Sequence, residues 1–232
     1  MAVIILPYDK ALMMYTPTPT PPVSLDLSLP DISPWQQVSG FLAGFGLTFI
    51  GLTIGMRDTL AHYELIITFI VLSVTVLSLS IELFPITRSL GYPLSDKFGT
   101  RFILTRGSII AYSLATLCYN VGLGALMTSL IILFADLVIW NAVTIIISFV
   151  ILELIFMTYL IKPTLTYIGR LHEYTEEAKK EKTDLIRDPF IKRYLIEYNL
   201  ESAYAIGLAI HIMSMFIIVL LLAFGLAIIG MI

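Results

Sequence analysis

The chain has 232 residues, 58% of them hydrophobic and 13% charged, with a formal net charge of −3 and a mean hydropathy of +0.91. About a quarter of the residues of a soluble globular domain are charged, so composition excludes that class, and bases interspersed with acids exclude a nucleic-acid-binding face. The one cysteine, Cys118, excludes an internal disulfide and a thiolate metal site.

Residues 1–37 form a Pro/Thr-rich tail. Met1–Leu6 is apolar but short, has no basic flank and is cut off by Pro7, so it does not read as a secretory signal. Thr16-Pro17-Thr18-Pro19-Thr20-Pro21-Pro22 predicts extended polyproline-II chain, either a linker or a strap for a partner's groove. Apolar runs of spanning length then divide the chain: four spans within 38–161, a charged segment at 162–202 and a fifth span at 203–232. The expected fold is an all-α integral membrane protein with five transmembrane helices and an amphipathic helical cytoplasmic hairpin between spans 4 and 5.

Span 1, about Val38–Met56, has Trp35 as an interfacial anchor and Gly40, Gly44, Gly51 and Gly55 as two GxxxG pairs. Small residues four apart let another backbone approach, so these glycines are expected to serve helix packing, with pore lining as the alternative. Span 2, about Leu65–Ile86, puts Thr68, Thr75, Ser78 and Glu82 along one face, and Pro85 weakens its end.

In the loop that follows, Ser95 or Asp96 is expected to cap a short interfacial helix running toward Leu104. Span 3, about Ile109–Phe134, carries Ser113, Thr116, Asn120, Gly124 and Thr128 as a small and polar stripe. A turn at Asp136 leads to span 4, about Leu137–Ile161, with Asn141, Thr144 and Ser148 on one face and Glu153 deeper on another. Such stripes line a wet path or act as interhelical glue.

The segment after span 4 holds Lys162, Arg170, Lys179, Lys180, Lys182, Arg187, Lys192 and Arg193, eight of the chain's 14 basic residues. Tyr167, Ile168, Leu171, Tyr174 and Ala178 recur at helical spacing, and Glu176 and Lys180 form a favourable pair. Asp188-Pro189 marks a helix restart that leads through Phe190–Tyr198 into span 5. The other basic loop lies between spans 2 and 3, so the positive-inside rule makes both loops cytoplasmic. The N-terminus is then cytoplasmic and the C-terminus outside, in a multi-pass protein of the cell membrane.

Three ionisable residues fall inside spans: Glu82, Glu153 and His211. Such residues are costly in hydrocarbon and usually face a protein interior or a water-filled cavity. From the helical rise, Glu153 lies roughly 14 Å from Lys162, His211 roughly 15 Å from Glu201, and Glu82 roughly 9 Å from Arg88. Glu153 and His211 are thus expected at one depth, with Glu82 as a cytoplasmic mouth. With Asn120 they would form a proton or cation pathway. The plainer alternative is a snorkelling Glu82 and one Glu153–His211 hydrogen bond. No local ligand pair supports a metal, no cofactor is implied, and no GxSxG, Walker, HExxH or dinucleotide fingerprint points to an enzyme.

Two functions remain open. One is a homo-oligomeric channel or proton/cation pathway. The other is a non-catalytic structural or assembly subunit of a larger membrane complex, with the lipid bilayer and other membrane subunits as partners.

Overall fold

The computed structural model describes residues 33–90, 92–96, 99–103, 105–179 and 200–231. Its elements are α1 (Ser33–Gly55), α2 (Tyr63–Ser89), β1 (Tyr92–Asp96), β2 (Gly99–Ile103), α3 (Arg106–Asp136), α4 (Trp140–Tyr159), α5 (Ile161–Lys179) and α6 (Leu200–Ile228). Five helical stretches are long and apolar enough to cross a membrane: α1, α2, α3, the run Trp140–Glu173 and α6. The described residues are almost wholly helical, and the five stretches suit a membrane by length and composition. The Thr16–Pro22 strap, Lys180 of the expected Glu176–Lys180 pair and the Asp188-Pro189 helix restart lie outside the described residues.

The bundle is arranged around α3. In its most apolar window 72% of residues are buried, against 17% in both the Trp140–Glu173 stretch and α6. Helix α2 runs antiparallel to α3, with Phe84 against Tyr112 and Leu77 against Tyr119 and Leu123. At the other end Ile66 and Ile70 join Leu126 and Leu130. Helix α1 lies on α2, where Ser80 meets Ser39 Oγ at 3.0 Å. Helix α6 runs parallel to α3, because Asn120, Gly124 and Thr128 meet Ser214, Ile218 and Gly225 in that order. Helix α4 covers the remaining corner: Val150 and Met157 pack with Ile218. Large apolar residues such as Ile145, Leu152, Ile155, Phe216 and Leu220 point outward, as a hydrocarbon surround requires.

The α2–α3 seam is tight because it has no side chain at Gly122. A Cβ there would stand 2.7 Å from Leu77 Cγ and 3.2 Å from the Leu77 backbone nitrogen. Ser73 uses the same gap to donate to the Gly122 carbonyl at 2.7 Å.

Pro85 weakens α2 less than its type suggests, since the helix continues to Ser89. Proline has no N–H for the carbonyl four residues back, which here belongs to Ile81. The Gln36 side chain of α1 supplies the donor instead, 3.3 Å from Ile81 O. One interhelical contact thus repairs a backbone defect.

The α2–α3 connection departs from expectation. No helix starts at Ser95 or Asp96; β1 and β2 pair antiparallel, from Tyr92 with Ile103 to Asp96 with Gly99. Pro93 opposes a helix, while Tyr, Phe, Ile and Thr favour extended pairing. The cap belongs to Thr105, whose hydroxyl accepts from Ser108 N–H while Ser108 Oγ accepts from Thr105 N–H. Thr105 also donates to Leu90 O, tying the end of α2 to the start of α3.

Opposite, the α3–α4 turn is held by Asp136. Its carboxylate accepts from the His62 backbone N–H at 2.9 Å and meets His62 Nδ1 at 2.8 Å, 74 residues away in sequence. Beyond it Val138 has a φ of 60°, a left-handed conformation that strains a β-branched residue. Helix α5 packs back on α6 through Leu171, the Tyr167–Tyr204 ring contact and a 3.0 Å His172–Glu201 pair.

Candidate functional site

Of the three hydroxyl and amide stripes, only that of α3 is internal. Ser113, Thr116, Asn120 and Thr128 are buried. Thr68, Thr75 and Ser78 of α2 face out of the bundle, as do Asn141, Thr144 and Ser148 of α4. Thr68, Thr75, Thr144 and Ser148 donate to the carbonyl four residues earlier in their own helices. That bond satisfies a hydroxyl without any partner helix, so residue type alone cannot show which way a stripe points. The inward polar face of α2 is Ser73, Ser80 and Thr87, at a repeat of seven that the sequence displays but that the choice of stripe passed over.

The glycines divide in the same way. Gly40, Gly44, Gly51 and Gly55 are exposed, and a Cβ at Gly44, Gly51 or Gly55 would meet nothing within 4 Å. Among the described residues Gly44, Gly51 and Gly55 pack against no other helix, and a Cβ at Gly40 would only reach Ile81 Cδ1 of α2 at 3.9 Å. The glycine of α1 in a tight seam is Gly46, beneath Val74. It belongs to neither GxxxG pair.

Where α3, α4 and α6 meet, polar side chains converge. Asn120, 1% exposed, donates through Nδ2 to Ser214 Oγ at 3.1 Å, and Ser214 donates to the His211 carbonyl at 2.7 Å. His211 Nε2 lies 3.4 Å from Met157 O of α4. Glu153 is one turn, about 6 Å, before Met157, and Ser214 is about 4.5 Å beyond His211 in the same direction, because α4 and α6 are antiparallel. Glu153, Ser214 and Asn120 therefore share one depth on three helices, with His211 a turn away. On α3, next to Asn120, the ring of Tyr119 meets that of Trp35 of α1 with centroids 5.7 Å apart.

The hydrogen bonds fix several chemical identities. A serine hydroxyl has one hydrogen, and Ser214 gives it to the His211 carbonyl, so Ser214 accepts from the amide NH2 of Asn120. Asn120 Oδ1 is then an acceptor with no hydrogen-bond partner, and Glu153 Oε1 is a second buried one. A carbonyl can only accept, so His211 Nε2 carries the hydrogen and Nδ1 is the basic nitrogen of the neutral ring. Leaving a buried acceptor unpaired costs about 1–3 kcal/mol.

Glu82 does not join this group. It is exposed on the outer face of α2, which packs on α1 and α3. Cys118 is half-buried. Among the described residues no group of three or more His, Cys, Asp or Glu side chains is placed to hold a metal ion. Sequence reasoning missed Ser214, whose only signal was its position three residues after His211, and the Asp136–His62 clamp, for which separation in sequence left no signal. Comparison with protein-family models, curated proteins and solved structures returned no match.

Proposed function

We propose that the protein is a homo-oligomeric membrane pathway for protons or a small cation, with Asn120, Glu153 and His211 at its polar centre. The observation that supports this reading is the pair of buried, unpartnered acceptors, Asn120 Oδ1 and Glu153 Oε1, at one depth and a turn from His211. Intramembrane ionisable groups that face a protein interior commonly mark ion or proton routes. The reading includes no catalytic step, and it drops Glu82 as the mouth because that residue lies on the far face of α2. The two basic loops, by the positive-inside rule, support a cytoplasmic N-terminus and an outer C-terminus in the cell membrane for this reading.

Flux from liposomes containing the purified protein tests this, with proton and monovalent-cation leak read separately. Leak above that of empty liposomes is expected, falling roughly 10²-fold in Glu153→Gln, as for loss of a positioned proton-transfer group. No leak above empty liposomes would end the reading. A second reading, a structural subunit of a larger complex, is favoured by Gly44, Gly51 and Gly55, where a Cβ would meet nothing within 4 Å. Stoichiometric foreign subunits after purification in mild detergent would support it, and a symmetric self-assembly would exclude it.

A further inference from the structure

We infer that the species held at the α3–α4–α6 corner is a proton carried on Glu153, donated in a hydrogen bond to Asn120 Oδ1 and exchanged with His211 Nδ1. This rests on the pathway reading and narrows it from protons or cations to protons.

The first support is the fixed sense of the Asn120 amide. The bond to Ser214 turns its NH2 toward α6 and leaves an acceptor, 1% exposed, with nothing to accept from. Glu153 Oε1, at the same depth, is a second acceptor without a donor. Two acceptors repel each other in a dry interior, and one hydrogen between them removes both defects. A carboxylic acid supplies it, since its protonated form is a donor as well as an acceptor.

The second support is that the corner suits a metal cation poorly. Hard cations take several oxygen ligands, about six to eight for Ca²⁺. Here one carboxylate, one amide oxygen and a serine oxygen already engaged with an NH2 group are present, and the histidine beside them repels a cation once protonated. The third support is the His211 tautomer: with Nε2–H given to Met157 O, Nδ1 is the one nitrogen able to gain or lose a proton.

The exchange balances. The O–H bond of Glu153 breaks, an N–H bond forms at His211 Nδ1, and the products are a carboxylate and an imidazolium. Among the described residues, α3 carries Tyr119, packed with Leu77 and Leu123, α6 carries His211, and Lys162 stands in the first turn of α5 roughly 14 Å along the helix from Glu153. Asn120 and Ser214 are uncharged.

Infrared difference spectroscopy of the full-length protein in liposomes at neutral pH tests the inference without measuring transport. The wild type should show the C=O stretch of a protonated carboxylic acid, shifting on exchange into D2O, absent in Glu153→Gln, displaced in Asn120→Ala and indifferent to Na⁺ or K⁺. A carboxylate signature at Glu153 that strengthens with Na⁺ would overturn it in favour of a cation. If Asn120→Ala does not fold, the Na⁺ titration of the wild type decides alone. A protonated Glu153 in a protein without flux would uphold the proton site and refute the pathway.

Discussion

The two flanks of α3 are built on opposite terms. Toward α2 the seam is closed: Gly122 admits Leu77, Ser73 donates to Gly122 O, and Gln36 repairs the carbonyl that Pro85 orphans. Toward α4 and α6, at the depth of Asn120, two buried oxygens have no donor. A bundle stabilised only by packing has no use for such a defect, because an apolar residue of the same size avoids it. The closed flank holds the chain together. The open flank carries the unmet acceptors.

The comparison breaks most readily at glycine. Gly122→Ala forces a Cβ against both the side chain and the backbone of Leu77, so we expect it to cost about 1–3 kcal/mol in thermal unfolding in detergent. Gly124→Ala, on the flank of α6, meets Ile218 Cγ1 at 3.3 Å, Leu221 Cδ1 at 3.4 Å and the Ile218 backbone only at 3.7 Å, so it should cost less, about 0.5 kcal/mol. Equal losses would show that both flanks are equally closed.

The Pro85–Gln36 repair sharpens the comparison at a smaller scale. Gln36→Ala should cost about 1 kcal/mol in the same assay by leaving Ile81 O unpaired. In a Pro85→Ala background, where residue 85 regains its N–H, that cost should vanish; a cost that persists would place the role of Gln36 elsewhere. At the α3–α4 turn, Val138→Gly should raise stability by about 1 kcal/mol, since glycine adopts positive φ without a Cβ clash. Smallest is Asn120→Leu: it gives up the bond to Ser214 but removes an orphan acceptor, so stability should move by no more than about 0.5 kcal/mol while any proton flux is lost. A large destabilisation there would return Asn120 to the role of interhelical glue.

Hydropathy made the five apolar stretches legible, because a run of spanning length has few other uses. The α3 stripe was legible too, its repeat of three and four marking one face that proved buried against α6. Orientation was harder to read. Thr75 and Ser148 satisfy themselves on their own backbones, and Gly44 looks like Gly46 until Val74 is seen over the second. Asn120, Glu153 and His211 stood out as polar residues in apolar runs. Ser214, which joins two of them and fixes the sense of the amide, carries a common side chain whose value depends on its neighbours.

The parallel pairing of α3 with α6 also imposes an order on biosynthesis. The polar face of α3 is completed by α6, which begins roughly 60 residues after α3 ends, and at 5–20 residues per second that is a delay on the order of 3–12 s. During that interval Asn120 and Thr128 lack their α6 partners, while the α1–α2–α3 half can already close around Gly122. The ribosome thus finishes the closed flank before it supplies the α6 side of the open one.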